Sequence, residues 1–174
     1  MSIEVKITEQ GPTPRLMMRQ KNQVHREAAT DLAHFWHDQY VRKHFTQAGA
    51  SEYGYAPRKG QPGNPHPKGF KRSYTGRKLA LKNHTRPLVW SGASYLLVLA
   101  SRNNVTATAT KGQATARLRL NAPALNFKNP RSRIDMRTEL TTISPREASE
   151  MSVRAGEYLQ QRYAALRDSE TTTV

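Results

Sequence analysis

The 174-residue chain has no cysteine, which excludes disulfide bonds, thiolate metal ligation and thiol catalysis. Its stability must come from packing or from neighbouring subunits. No apolar run approaches the roughly 18–20 residues of a membrane helix, and Met1-Ser2-Ile3-Glu4-Val5 is too polar and acidic for a signal peptide. The expectation is a protein made in the cytoplasm, with no membrane partner. Aromatic residues are scarce at 7% and mean hydropathy is low at -0.78, so part of the chain is expected to serve as loop or interface. There is no fixed-period repeat. A chain of this length is expected to form one domain and to bury roughly two-thirds of its unfolded surface.

Acidic charge is missing from one long window. Between Glu52 and Asp135 there is no Asp or Glu, while residues 53–134 carry 16 of the 28 Lys and Arg. All the excess of the +15 net charge lies there. Such a field favours a polyanion or an acidic protein surface, because Lys and Arg gain by neutralising phosphates and releasing counterions. A solvated basic loop would show the same composition.

What is present reads as α+β. Ser2–Thr8 alternates apolar and polar residues, as a half-buried strand does. Gly11-Pro12-Thr13-Pro14 ends it, and Leu16-Met17-Met18 reads as a turn. From about Gln20 to Thr46, Val24, Ala28, Leu32, Phe35, Trp36 and Tyr40 recur at steps of three and four, predicting a long helix that stops near Gly49. Residues 50–84, with Pro57, Pro62, Pro65 and Pro67 and several Gly, predict a loop, and residues 53–86 an extended basic arm, ordered against a partner, or a loop inside the domain. The densest apolar run, Thr85 to Ala100, reads as a short buried strand turning into a core segment. Val105–Thr110 and Ala114–Leu120 flank Lys111-Gly112-Gln113 as a hairpin. Asn121 to Arg133 reads as loop and Met136 to Ile143 as a strand. Ser144-Pro145-Arg146-Glu147 is a capping box opening a helix that should fray by Asp168, leaving residues 169–174 as a loose tail. The architecture expected is a single domain over residues 1–168, with a curved, mainly antiparallel sheet flanked by two main helices and a long basic Pro/Gly-rich loop.

Catalytic and metal-binding patterns are weak. His34, His37 and Asp38 share one helical turn but lack a distant third ligand, and a polar helix flank explains them as well. Ser91 follows Trp90 and precedes Gly92, yet a nucleophile elbow needs glycine two residues before and after, where Val89 and Ala93 stand. No phosphate loop, zinc-protease helix or dinucleotide fingerprint occurs. The expectation is no catalytic residue, no cofactor and no metal. The residues of interest are Arg58, Lys59, Lys68, Lys71, Arg72, Tyr74, Arg77 and Lys78 of the acid-free window, as an interface or a DNA-facing arm. Aromatics among cations stack on bases or anchor protein contacts, and composition does not decide which. Trp90 and Tyr95 are expected in the core because their neighbours are aliphatic.

The order of elements adds a resemblance. A leading strand, a helix ending in His44-Phe45-x-x-Ala48-Gly49, the Tyr53-Gly54-Tyr55-Ala56-Pro57-Arg58 turn, a basic loop, then Pro87-Leu88-Val89-Trp90-Ser91-Gly92, a hairpin, and a closing strand and helix resemble the neck and tail-completion proteins of tailed bacteriophages. The likeness spans most of residues 2–166, and its most specific element is the Pro87 to Gly92 motif. The Pro/Gly-rich insertion around residues 60–69 departs from the pattern. The resemblance implies a structural virion protein, not an enzyme, that forms a homo-oligomeric ring where the DNA-filled head meets the tail, as a connector or a tail completion protein. Its partners would be further copies of itself, neighbouring proteins on the portal and tail-tube sides, and duplex DNA in the lumen. It would be located in the virion, and in the host cytoplasm during assembly. The acid-free window alone equally fits a nucleic-acid-binding protein, ribosome- or DNA-associated.

Overall fold

The computed structural model describes residues 2–8, 21–110, 113–127 and 134–171. The chain is α+β, and its contacts divide it into two compact units, each assembled from separate stretches of sequence. The predicted turn at Leu16-Met17-Met18 and the Lys111-Gly112 tip of the hairpin lie outside the described residues.

The first unit is built on a three-stranded antiparallel sheet in the order β1 (Ser2–Thr8), β3 (Gln113–Arg119), β2 (Val105–Thr110). The leading strand and the hairpin are as predicted. Register follows the alternation in the sequence: Ile3 and Val105 both pair with Leu118, and Val5 and Ala107 both pair with Ala116. These rows put small and branched apolar side chains on one face, since alternate strand residues point the same way. The other face is polar, and there the Arg117 guanidinium donates to Glu4 at 3.1 Å.

Helix α1 (Lys21–Gln39) lies against all three strands. Ala28, Ala29 and Ala33 are fully buried, as are Val24, Leu32 and Trp36, so three small side chains allow close approach of helix to sheet. The closing helix α6 (Pro145–Thr171) packs on α1. It starts where the Ser-Pro-x-Glu signal places it and runs past Asp168, three residues further than predicted. Salt bridges Arg154–Asp31 and Arg162–Glu27 and a 2.7 Å hydrogen bond between His25 Nε2 and the Tyr163 hydroxyl link the pair. The Arg154 guanidinium also covers the Phe35 ring. The acids Glu27, Asp31 and Asp38 of α1 are thus all used, Asp38 by Arg102.

The predicted helix of residues 20–46 is broken in two places. α1 ends at Gln39, a 3-10 turn spans Lys43–Phe45, and Thr46 is extended before α2 (Gln47–Glu52). The Thr46 hydroxyl caps α2, accepting the Gly49 amide at 3.0 Å. Gly49 is therefore not a helix stop. It lies inside α2, where only glycine fits, since a Cβ would meet the Lys43 carbonyl oxygen at 2.0 Å.

The second unit begins at that turn and includes α2, α3 (Tyr74–Lys82), α4 (Ala93–Ala100) and α5 (Met136–Thr141). Its core holds Val41, Phe45, Leu88, Val89, Val98, Leu125 and Leu140. Residues 53–86 contain α3 and a loop that bonds to itself. Two expectations are corrected here. Met136–Thr141 is helical and not a strand, because Asp135 caps it by accepting the Thr138 amide at 3.1 Å. The densest apolar run is a buried Pro87-Leu88-Val89 bend followed by α4, with no strand. Of α4 only Val98 is buried, while Leu96 and Leu97 are exposed. Trp90, expected in the core, is 42% exposed. Among the described residues, no helix is long and apolar enough to cross a membrane.

A basic cleft as the candidate functional site

The second unit contains a cleft of about 1080 Å³. Its first wall is the Pro/Gly-rich loop. Proline and glycine deprive this segment of regular hydrogen bonding, and polar side chains supply the bonds instead. The Arg58 amide donates to Gln61 Oε1 at 2.6 Å, Asn64 Nδ2 donates to the Pro57 carbonyl at 2.9 Å, and the Gly60 amide donates to the Asn64 carbonyl at 2.8 Å. The loop is then fastened by Glu139 of α5. Its Oε1 accepts from Arg58 Nη1 at 2.6 Å and from the Ala56 amide at 3.2 Å, and its Oε2 accepts from Arg58 Nη2. Both side chains are nearly buried, so this pair is a clamp and not a rim contact.

The second wall is α3. Ser73 caps it, accepting the Gly76 amide at 2.9 Å and donating to the Phe70 carbonyl at 2.6 Å. Gly76 is required, since a Cβ there would lie 2.1 Å from the Phe70 carbonyl oxygen. Thr75 and Lys78, three residues apart and so on one helix face, both line the cleft. The Thr75 hydroxyl is buried without a hydrogen-bond partner. Lys78 is only 3% exposed, its Nζ donates to the Arg86 carbonyl and lies 5.7 Å from the Tyr74 ring centre. Burial, and then the Arg58 charge, pull the Lys78 ammonium down to about 8. Burial also raises the Tyr74 phenol.

The third wall is the bend at Pro87 and Leu88 with Trp90, joined by the apolar side chains of Phe127 and Met136. Leu88 takes a left-handed conformation, φ 54°, uncommon for a residue with a Cβ. The Tyr74 and Trp90 rings pack at 5.5 Å between centres with their planes tilted by 34°.

Six of the eight predicted basic-window residues meet here: Arg58, Lys59, Arg72, Tyr74, Arg77 and Lys78. Lys68 and Lys71 are exposed outside the lining. Of the predicted motif, Pro87, Leu88 and Trp90 line the cleft, Val89 is buried away from it, and Ser91 and Gly92 take no part. Among the described residues, no carboxylate lines it. Glu139 and Thr75 were not singled out from the sequence. The signals were Asp135, three residues before Thr138, and Ser73 ahead of Tyr74-Thr75-Gly76-Arg77-Lys78-Leu79 with Asn83 closing the helix.

Beside the cleft, His44 is fully buried and stacked on Tyr53 at 4.0 Å. Its Nδ1 lies 2.6 Å from the Tyr55 hydroxyl and 3.2 Å from the Glu139 carbonyl oxygen. Desolvation pushes its imidazolium pKa down to about 4. A folded-state value below the unfolded one means that stability is fully present above about 6.5 and is lost as pH falls towards 4. His44→Phe is expected to remove about 3 kcal/mol of acid-induced destabilisation over that window, read by urea unfolding at pH 7 and pH 4. Parallel pH profiles for the two proteins would refute it. In the weak His34, His37 and Asp38 pattern the carboxylate is engaged by Arg102, and the described residues contain no group of three or more metal-ligating side chains.

Compared with known proteins, the chain matches no family model, no curated protein and no solved structure.

Proposed function

We propose that the chain is a structural subunit of a tailed-phage virion, assembling as a homo-oligomeric ring at the neck or tail-completion position. It performs no catalysis and needs no cofactor. The observation that carries this reading is the placement of α4 directly after the Pro87 to Gly92 motif, with Leu96 64% and Leu97 45% exposed. Adjacent aliphatic side chains in water favour a protein surface that covers them. The sheet adds support, since β1 and β2 are both edge strands and can pair with another chain. Rings arise when such heterologous contacts close by rotation. Neighbouring neck proteins would cover the remaining faces, and exposed cations such as Lys68 and Lys71 would face duplex DNA in the lumen.

Sedimentation velocity tests the assembly, and mass spectrometry of purified particles tests the location. The expected result is a concentration-dependent oligomer that Leu96→Asp with Leu97→Asp converts to monomer, and the protein present in virions. A monomer at every concentration, absent from particles, would sink the proposal.

A further inference from the structure

We propose that the cleft of the second unit binds a nucleotide unit, with its phosphate held by Lys78 and Thr75 and its base stacked on Trp90. This goes beyond the ring reading and does not rest on it. Three observations converge. Lys78 is a buried cation for which no carboxylate partner occurs among the described residues; its one acceptor is the Arg86 carbonyl. A buried charge without a counter-ion is unfavourable, and an anion beside it removes the penalty. The Thr75 hydroxyl, buried and unpartnered on the same face of α3, supplies a donor to the same anion. Around them Lys59, Arg72 and Arg77 line the cleft, and among the described residues the cleft cation matched by a carboxylate is Arg58, held by Glu139.

The aromatic side selects the rest of the ligand. Tyr74 touches both features: Lys78 Nζ lies 5.7 Å from its ring centre and the Trp90 ring 5.5 Å. Trp90 is held by this contact yet remains 42% exposed, which leaves indole surface for a flat partner. A cationic floor next to an aromatic platform is the arrangement that binds nucleotides without reading sequence, by phosphate neutralisation and base stacking. An acidic peptide would satisfy Lys78 but would leave the indole without a planar partner. The lowered Lys78 pKa agrees, since burial without a counter-ion disfavours the ammonium and a bound anion would raise the value again.

The test uses the full chain and labelled oligothymidylate of about 10 nucleotides, a length within single-strand site sizes. Anisotropy measures binding at low and high salt, and tryptophan fluorescence reports stacking, because the other tryptophan, Trp36, is fully buried. Thymidine monophosphate, inorganic phosphate and polyglutamate serve as competitors. The expected result is salt-sensitive binding with quenching, weakened roughly tenfold or more in Trp90→Ala and in Lys78→Gln. Thr75→Val, which keeps the side-chain shape, is expected to weaken binding several-fold and keeps the test valid if Lys78→Gln folds poorly. Competition by the mononucleotide equal to that of the strand would identify a free nucleotide as the source, and tighter strand binding a polynucleotide; either supports the site. The proposal is overturned by absence of binding at low salt, by wild-type affinity in Lys78→Gln and Thr75→Val, by polyglutamate competing as well as the oligonucleotide, or by inorganic phosphate competing as well as the mononucleotide. Sedimentation of the same samples reports assembly separately, since Leu96 and Leu97 do not line the cleft.

Discussion

Trp36→Ala is expected to lower the unfolding free energy by about 3–5 kcal/mol, the range for removing a large aromatic from a packed core. Trp36, on α1, is the largest fully buried side chain among the described residues. A close-packed interior collapses only partly around so large a void, so most of the lost burial is paid as a cavity. Urea denaturation would show the midpoint falling with little change in slope. The matching experiment at Trp90 is expected to give only about 1 kcal/mol, because that indole is 42% exposed and packs against the Tyr74 ring. A larger loss at Trp90 than at Trp36 would contradict the burial pattern on which the fold description rests.

Glu139→Ala is expected to cost about 3–5 kcal/mol, since it leaves the Arg58 guanidinium nearly buried without its counter-ion. The Ala56 amide loses its acceptor in the same change. The effect should be local as well as global: amides of residues 56–64 should exchange faster than those of the sheet. A double replacement, Arg58→Met with Glu139→Met, should recover much of the loss, because removing both charges avoids stranding either. A thermodynamic cycle on the two sites is expected to show coupling of at least about 2 kcal/mol. Additive single changes would mean that the pair is not the clamp of the loop, and that the cleft wall is held by Gln61 and Asn64 alone.

The contrast between the two tryptophans shows how far local pattern reaches. Trp36 belongs to a period of three and four, so its neighbours in sequence state which way it points. Trp90 sits in an unbroken apolar run, where periodicity carries no direction and average hydrophobicity predicts burial. The run folded as a bend and a short helix instead, leaving Leu96, Leu97 and Trp90 exposed. For the cleft, charge was legible: the acid-free window contains Arg58, Lys59, Arg72, Arg77 and Lys78. What those residues do was not, because Glu139 lies 81 residues from the arginine it neutralises. No local rule links them.

The sequence by itself determined the leading strand, the hairpin, the amphipathic start of α1, the cap of α6 and the position of the basic charge. Each is a matter of short-range stereochemistry, alternation or composition. Only the tertiary structure decided that α3 closes a cleft, that Lys78 is buried there with no carboxylate partner among the described residues while Arg58 has one, and that Trp90, Leu96 and Leu97 of the apolar run are exposed. Burial and pairing depend on residues brought together from distant parts of the chain, and the free energy of a buried charge depends on those neighbours and not on its own place in the sequence.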